Sequence, residues 1–407
     1  MKSQKYNVVT WCLLFVAGVA AAQTITISAV VVDKDTQEPL PFASVGIKGK
    51  SIGTITNLQG AFDFHVAGAL RNDILVVNML GYETYEVPAW SLAEAQPASI
   101  IALSKSTRIL DEVVISDSLR GGDILRIALS RIESNYPMSP YVMDGFYRDV
   151  KEVAGTYVSL LEAAVTIVDE DYRAPRNKYK IRERVALQEV RRSLGYANKF
   201  TAYFDEGNLL EDILLHNNIR YRQFPVEEEF FKGMVRQKDS YYNGSPVYVI
   251  AQQYDYALVI YIDKQNYGIL HLEYENDQQE TIRRRGGLVS KFVNIRRILD
   301  FKPFDGRLYL NYITLDSKVN WYDKDTDEIR LETQLHQQLL INKVSPNTSQ
   351  YIGTARKMKS YGLQYQDLPY NKSFWENYNV IKESPLDQRI IEDLEKSLPL
   401  EKQFDHH

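Results

Sequence analysis

Cysteine is almost absent from this chain of 407 residues, which contains a single one, Cys12. Residues 1–22 have the features of a cleaved secretory signal, because Lys2 and Lys5 precede a short apolar run that ends in three alanines. We expect cleavage after Ala22, and the residues before Cys12 do not favour a lipid-anchored cysteine. Cleavage removes the thiol, so the remaining chain has neither a disulfide nor a cysteine nucleophile, and its apolar cores alone must stabilise it.

Histidine is also scarce, and the motifs of common hydrolases are missing. The six histidines are scattered along the sequence, at His65, His216, His271, His336, His406 and His407. The sequence contains neither His-Glu-x-x-His, which places two zinc ligands on one helix face, nor Gly-x-Ser-x-Gly, which forms a nucleophile elbow. His271 and Glu273 share one face of a predicted strand, but a zinc site needs a third ligand and usually a fourth. We therefore expect no catalytic, metal-binding or cofactor-binding residues.

Two short motifs resemble ligand-binding loops, and each lacks an essential position. Residues 49–51 (Gly-Lys-Ser) match the end of a phosphate-binding loop, but Ser44 stands where this loop needs a glycine. Asp323, Asp325 and Asp327 have the spacing that opens a calcium loop, but Glu328 stands where that loop needs a glycine. We expect a surface hairpin at the first motif and a solvated turn at the second.

The chain has no excess of positive charge and no long apolar run after its first residues. It contains 48 lysines and arginines against 53 acidic residues. Removal of Lys2 and Lys5 leaves 46 against 53, a net charge of −7. This balance argues against nucleic acid as a partner. No later segment approaches the roughly 20 apolar residues of a transmembrane helix, so we expect none after signal cleavage.

Short alternating segments divided by turn residues fill residues 25–115. Residues 43–48 alternate with period two, and residues 73–79 have the composition of a buried strand. Gly53 and Gly60 lie where we expect tight turns with positive φ. The regular spacing of such strands indicates a β-sandwich rather than a βαβ unit.

Three segments in this order make the region similar to a known family. Pro-Leu-Pro-Phe-Ala-Ser-Val at residues 39–45 is followed by Gly-Thr-Ile-Thr-Asn-Leu-Gln-Gly-Ala-Phe at residues 53–62 and by Leu-Gly-Tyr at residues 80–82. Together they resemble the carboxypeptidase-regulatory-like domain, which often precedes outer-membrane TonB-dependent receptors in Gram-negative bacteria. The resemblance implies a transthyretin- or immunoglobulin-like sandwich over residues 23–115 that is not catalytic, in an exported protein of the periplasm, outer membrane or cell surface.

In the receptors that carry this module, a plug and a large barrel follow it. Here 292 residues follow Ile115, which we expect to be too few for a plug and a barrel of more than twenty strands. The segment that leads to the plug in those receptors corresponds here to Leu110, Glu112, Val113, Val114 and Ile115. We expect it to be the last strand of the sandwich, and the alternative is an exposed strand that pairs with an envelope protein by strand addition.

The rest of the chain predicts a second, uncharacterised α+β domain over residues 123–400, after a linker at residues 116–122. Asp123 can cap a helix whose apolar residues recur at helical spacing. Most of the region between residues 144 and 344 has the alternation of antiparallel strands. The predicted fold class is therefore mainly β, a sandwich followed by an antiparallel sheet with a few helices.

Three local features of this second region carry further expectations. Asp305-Gly306 is a strong hairpin signal. Residues 387–398 predict a tail helix with one apolar face, and we expect this helix or the one that follows Asp123 to cover the concave face of the sheet. Residues 283–285 (Arg-Arg-Arg) indicate a solvated loop, and the alternative is a contact with anionic lipid head groups or a polysaccharide.

Two classes of function remain open from the sequence. The first is a non-enzymatic binding or scaffold protein of the cell envelope, with an alternative in which the second domain carries an apolar or lipid ligand. Here a curved sheet closed by helices would form the pocket, by fold-level analogy with periplasmic lipoprotein carriers. The second class is a hydrolase of envelope polymers, which needs two acids facing each other in a cleft. The sequence does not identify the partner or the oligomeric state.

Overall fold

The computed structural model describes residues 24–93, 99–106, 119–197, 203–204, 209–253, 256–279, 281, 283–353, 362–366, 368–382 and 385–405. Seven strands form two small sheets that face each other, with the orders β4-β1-β7 and β3-β2-β5-β6. Their bounds are β1 (Thr24–Asp33), β2 (Ser44–Ile47), β3 (Gly53–Ile55), β4 (Ala61–Ala67), β5 (Ile74–Asn78), β6 (Tyr85–Pro88) and β7 (Ser99–Leu103). This part of the chain is called the sandwich below.

The alternation seen in the sequence places one face of each small sheet in the sandwich core. Val31, Phe64 and Val77 are fully buried there, and a short helix, α1 (Ala89–Ala93), closes one side. Gly60 has a φ of +70°, and a Cβ atom on it would lie 2.2 Å from the Val31 carbonyl oxygen, so a turn with positive φ is present as expected. The same expectation is wrong for Gly53, which lies inside β3 without a positive φ.

Twelve further strands form one long sheet. Their bounds are β8 (Tyr141–Val153), β9 (Thr156–Asp169), β10 (Arg184–Arg192), β11 (Val235–Arg236), β12 (Ser240–Tyr242), β13 (Ser245–Gln253), β14 (Ala257–Asp263), β15 (Ile269–Gln278), β16 (Arg284–Arg285), β17 (Leu288–Phe304), β18 (Arg307–Asp323) and β19 (Ile329–Ser345). Ten follow the order β10-β9-β8-β19-β18-β17-β15-β14-β13-β11, while β12 pairs with β13 and β16 with β17. All these pairs are antiparallel, and the predicted fold class is confirmed.

Eight helices accompany the long sheet among the described residues. They are α2 (Gly121–Ser130), α3 (Ile132–Asn135), α4 (Leu209–Leu215), α5 (Asn218–Tyr221), α6 (Glu228–Gly233), α7 (Lys372–Trp375), α8 (Pro385–Leu394) and α9 (Leu400–Phe404). Asp305 and Gly306 form the expected two-residue turn between β17 and β18, with φ values of 49° and 71° that are typical of the twisted hairpin turn.

The two faces of the long sheet are covered by different parts of the chain. Neighbouring residues of a strand point to opposite faces. Leu161 of β9 packs in the same core as Ile124 of α2, whereas Leu160 packs with Ile390 of α8. We expected one of these two helices to cover the sheet. The structure shows that both do, since α2 packs on one face and α8 on the other. We call the face with α2 to α6 the helix face and the other the sandwich face.

The helix expected to begin near Asp123 begins instead at Gly121, inside the predicted linker. Arg120 is the residue before its first turn, and no side chain caps it. A Cβ atom on Gly121 would lie 2.4 Å from the Met234 carbonyl oxygen, and one on Gly122 would lie 2.2 Å from that of Phe231. These glycines therefore allow α2 to approach α6 closely. The prediction of a linker at residues 116–122 did not include this role.

Candidate ligand-binding cleft

A cleft of about 800 Å³ lies on the helix face of the long sheet. Its floor follows one row of cross-strand partners. Leu258 of β14 is opposite Tyr274 of β15, and Tyr274 is opposite Arg297 of β17. Leu272 lies two residues before Tyr274 on the same face and is almost fully buried. The floor thus consists of apolar and aromatic side chains with one guanidinium among them.

The roof of the cleft is formed by α4, α5 and the chain that follows them. Leu215 and His216 come from the end of α4, and Phe224 lies after α5. Tyr179 stands at the rim, where it is 73% exposed. An opening lined with aromatic rings above an apolar floor has the character of a small-molecule site, which is commonly 300–1,000 Å³ and mostly apolar.

A buried ion pair holds α5 in place over the sheet. Arg220 Nε lies 2.6 Å from Asp169 Oδ2, and Arg220 Nη2 lies 2.8 Å from Asp169 Oδ1. Asn217 caps α5, since its Oδ1 accepts from the backbone N–H of Arg220 at 3.0 Å. The Tyr141 hydroxyl also donates to Asp169, at 3.0 Å. This network fixes the roof relative to the end of β9.

Arg297 and His216 form the polar end of the cleft. Arg297 Nη1 lies 2.8 Å from His216 Nδ1, and the Arg297 guanidinium carbon lies 4.7 Å from the centre of the Tyr274 ring. Burial and the nearby Arg297 charge lower the pKa of His216 to about 4, so this imidazole is neutral at neutral pH. Burial also lowers the pKa of Arg297, to about 10, which leaves the guanidinium charged.

A smaller cavity of about 130 Å³ adjoins the cleft, because Asp212 and His216 line both. Its floor continues the same cross-strand row from Arg297 to Leu315 and Gln337. Gln337 Nε2 donates to the Leu209 carbonyl oxygen at 3.0 Å, which ties α4 to the sheet. The two cavities therefore lie side by side along the helix face.

Two carboxylates, Asp212 and Glu227, line the cleft. Asp212 lies at an exposed position of α4. Glu227 is also exposed, and its Oε2 accepts from the backbone N–H of Val226 at 3.0 Å. In the part of the chain that the structure describes, no three His, Cys, Asp or Glu side chains are grouped as metal ligands.

A second cavity, of about 300 Å³, lies on the sandwich face, between Phe42 and Leu58 of the sandwich and the strands of the long sheet. Three of its charged groups, Arg148, Asp316 and His336, have partners. His336 Nδ1 lies 2.6 Å from Asp316 Oδ1, and Arg148 Nη2 lies 2.6 Å from Glu162 Oε1. A further cation, Arg296, lines this cavity at an exposed position, whereas the Arg297 guanidinium of the cleft is buried.

The structure confirms that His271 and Glu273 share a face, and it adds a third residue. His271 Nε2 lies 3.3 Å from Glu273 Oε1, and His271 Nδ1 lies 3.0 Å from Asp300 Oδ2. Although burial disfavours the charged ring, these two carboxylates raise the pKa of His271 to about 9. Tyr242 and Asn311 also donate to Asp300, at 3.0 and 2.9 Å. The group is a hydrogen-bonded polar cluster inside the sandwich face.

The other sequence-predicted features have plain structural roles, or lie outside the description. Residues 284–285 form β16 of a hairpin rather than the expected loop. Asp323 Oδ1 accepts from the backbone N–H groups of Asp325 and Thr326 at 2.9 and 3.0 Å, as in a polar turn. The proposed interaction segment, Leu110 to Ile115, lies outside the described residues.

Sequence reasoning missed Arg297, although a signal for it was present. Val293, Ile295 and Leu299 share its face of β17 by the period of two. Burial of a charged side chain within an otherwise apolar face destabilises the fold, so such a residue indicates a role other than folding. His216 was noted in the sequence only as one of several scattered histidines, because its pairing with Arg297 joins residues 81 positions apart.

Comparison with known families identifies the sandwich. Residues 27–115 match the family described as the CarboxypepD_reg-like domain. This part of the chain is a CarboxypepD_reg-like domain. The same N-terminal region is similar to the TonB-dependent receptor SusC of Bacteroides thetaiotaomicron, with 39% identity over 108 residues. That match covers 25% of this chain and 10% of SusC, so the chain spans about a tenth of the length of this relative.

Solved structures give only remote likenesses beyond the CarboxypepD_reg-like domain. A structure of lipid–protein interactions in lipovitellin has a TM-score of 0.25 and 9% identity, over 59% of this chain and 28% of that one. The MucA/MucB complex of Pseudomonas aeruginosa has a TM-score of 0.16 and 10% identity, over 56% of this chain and 99% of that one. Similarities at this level carry no argument about function. Among the described residues, none of the helices has the length and apolar character needed to cross a membrane.

Proposed function

We propose that this chain is a non-enzymatic binding protein of the bacterial cell envelope, and that its cleft holds an amphiphilic ligand of the lipid class. The observation that carries the proposal is the cleft of about 800 Å³ between α4, α5 and the long sheet, with Leu258 and Leu272 in its floor. An apolar chain that enters this space leaves water, at a gain of about 25 cal/mol per Å² of buried apolar area.

The envelope setting is supported by the N-terminal part of the chain. The CarboxypepD_reg-like domain is similar to part of SusC, which is named as a TonB-dependent receptor. Residues 1–22 have the pattern of a secretory signal. In this proposal residues 23–115 and 123–400 are two domains joined at residues 116–122, the first providing the envelope context and the second the ligand site.

The lining of the cleft favours binding over hydrolysis. Hydrolysis of a glycosidic bond commonly uses two carboxylates about 5–9.5 Å apart across the scissile bond. Here Asp212 and Glu227 lie at exposed positions, and Glu227 is engaged with the backbone of its own helix start. The deeper surface consists of apolar and aromatic side chains with Arg297 and the neutral His216.

Binding of a neutral fluorescent probe tests this function. N-phenyl-1-naphthylamine, an uncharged apolar dye that brightens on leaving water, is titrated into the purified chain. Leu215 lines the cleft from the half-buried end of α4, so L215W places a larger ring into the space. Since overpacking costs about 1–3 kcal/mol, we expect the dye to bind L215W about tenfold more weakly than the parent.

A matched control uses the same added side chain away from the cleft. Ile329 is 57% exposed at the start of β19 and lines none of the cavities described above, so I329W is expected to bind the dye like the parent. Circular dichroism and thermal melting show that both variants fold. Equal dye binding by L215W and I329W, or no dye binding by the folded parent, would contradict the proposed function.

A further inference from the structure

Three arginines are buried among the described residues, and two of them are paired with acids. Arg220 meets Asp169 through two contacts of 2.6 and 2.8 Å. Arg148 meets Glu162 through contacts of 2.7 and 2.6 Å. These pairs show how the fold itself compensates a buried guanidinium, because an isolated charge inside a protein is strongly destabilising. Arg297 is the third, and it is only 7% exposed.

Arg297 has no carboxylate partner among the described residues. The hydrogen bond of its guanidinium joins Nη1 to His216 Nδ1. Its Nε is buried and has no acceptor. The Tyr274 ring lies beside the guanidinium and offers the attraction of its face, which is weaker than that of a carboxylate. Most of the five N–H donors of this guanidinium are therefore left for another acceptor.

His216 cannot supply the missing negative charge. A guanidinium has N–H groups and no acceptor, so Nδ1 of His216 must accept, and the proton of the neutral ring is on Nε2. Burial and the Arg297 charge keep the pKa of His216 near 4, so the pair carries one net positive charge at neutral pH. His216 Nε2–H is a further donor at the same end of the cleft.

We infer that the ligand of the cleft carries a small anionic head group, a carboxylate or a phosphate, which pairs with Arg297 at the polar end of the floor. This inference rests on the proposed function and specifies the ligand class for the same cleft. The planar fork of a guanidinium matches two oxygens of either head group. The row Leu258–Tyr274–Arg297 then places the charge of the ligand at one end of the floor and its apolar chain along the other.

The test compares ligands that share one chain and differ in the head group. Dodecanoate, dodecyl phosphate and dodecanol, each below its aggregation limit, compete with the neutral dye for the parent. A hydrogen bond to a charged group contributes about 1.5–3 kcal/mol, so we expect both anions to bind at least about tenfold more tightly than dodecanol. The tighter of the two anions distinguishes a carboxylate from a phosphate source.

Two variants locate this preference at Arg297. R297L is expected to bind dodecanol and dodecanoate with equal affinity. R296Q changes the neighbouring residue, which points to the opposite face, and is expected to keep the preference for anions. R297L is also expected to melt at the same temperature as the ligand-free parent or higher, since it removes an unpaired buried charge. An arginine with a structural role would give the opposite melting result.

The outcomes separate this inference from the proposed function. Equal affinity of the parent for dodecanol and both anions overturns the inference, and so does a preference for anions that R297L retains. In either case dye binding in the cleft leaves the proposed function standing. A folded parent that binds neither the dye nor any of the three ligands overturns both.

Discussion

Glu183 is a buried carboxylate that supports the roof of the cleft through Tyr221. The Tyr221 hydroxyl donates to Glu183 Oε2, and Tyr221 is the last residue of α5. Burial, together with the charge of Asp169, raises the pKa of Glu183 to about 7, against the opposing effect of Arg220. The folded chain therefore holds this proton more tightly than the unfolded chain, in which the pKa is about 4.5.

We predict that E183Q removes a pH dependence of stability between about pH 4.5 and 7. Because the folded pKa is raised, the contribution of Glu183 is complete below pH 4.5 and is lost as the pH rises through 7. A shift of this size corresponds to roughly 3 kcal/mol. Urea unfolding of parent and variant at several pH values measures the difference, in which the other titrating groups cancel. Parallel stability curves would show that Glu183 titrates normally.

At the residue scale, the sequence can point to one residue of a buried polar pair but not to its partner. The shared face of His271 and Glu273 follows from the period of a strand, whereas Arg297 was not predicted, although it is one charged residue on an alternating apolar face. Their partners do not follow, since Glu183 and Tyr221 are 38 positions apart and His271 and Asp300 are 29 apart. Which distant side chain meets a buried charge depends on strand order, and no local pattern contains it.

The tail helix α8 shows what an apolar stripe predicts about an element. Ile390 and Leu394 are buried with Leu160 of β9, as the stripe indicates. The helix covers Pro385–Leu394 rather than the predicted residues 387–398. A second short helix, α9, begins at Leu400 after Pro399, because proline fits the start of a helix better than its interior.

We predict that L394D lowers the free energy of unfolding by several kcal/mol. The substitution buries an unpaired charge where Leu394 is 8% exposed. Q388D places the same side chain at an exposed position of the same helix and is expected to change stability by no more than about 0.5 kcal/mol. Denaturant unfolding of both variants makes the comparison. Equal stability of L394D and Q388D would mean that α8 is not docked.

Element lengths were the least predictable feature of the long sheet. Alternation is clear in the sequence over residues 309–315 and 330–336, whereas β18 and β19 each have 17 residues. Both strands extend into residues without the apolar pattern. Their backbones stay paired there, because each has a long neighbouring strand on both sides. The strand β9 lacks alternation for a different reason, since both of its faces are covered.

At the scale of the whole molecule, Ile55 of β3 packs directly on the long sheet, and the chain that follows α7 adds hydrogen bonds between the sandwich and that sheet. Asn379 Oδ1 accepts from the backbone N–H of His65 at 2.7 Å, and its Nδ2 donates to the His65 carbonyl at 3.0 Å. The Asn379 carbonyl in turn accepts from Asn342 of β19 at 2.7 Å. The edge strand β4 is thus covered by a side chain that mimics a strand partner.

We predict that N379A loosens the sandwich from the long sheet. Loss of both bonds to His65 is expected to cost about 2 kcal/mol and to speed hydrogen exchange at the β4 amides. N377A is the matched control, since the Asn377 side chain bonds only within its own turn, to the Ser373 carbonyl. Exchange in β4 that is equally slow in both variants would show that Asn379 does not hold the two parts together.

This packing explains why the sandwich could be predicted in isolation while the whole molecule could not. The order of segments in residues 39–82 was enough to identify the family. The strand β8 lies between β9, its neighbour in the sequence, and β19, which is far from it in the sequence. The pairing of β8 with β19 depends on contacts that only the folded chain has. The cleft lies on that sheet, so from the sequence alone a pocket could be proposed only by analogy with other folds.

Native mass spectrometry of the purified chain shows directly whether the cleft holds an amphiphile. The parent and L215W are purified under mild conditions from an envelope extract, and their masses are compared before and after extraction with organic solvent. We expect the parent to carry a bound anionic amphiphile that the solvent releases, and L215W to carry little of it. A folded parent that has the mass of the bare chain, and takes up no amphiphile when incubated with the extracted lipids, would contradict the account.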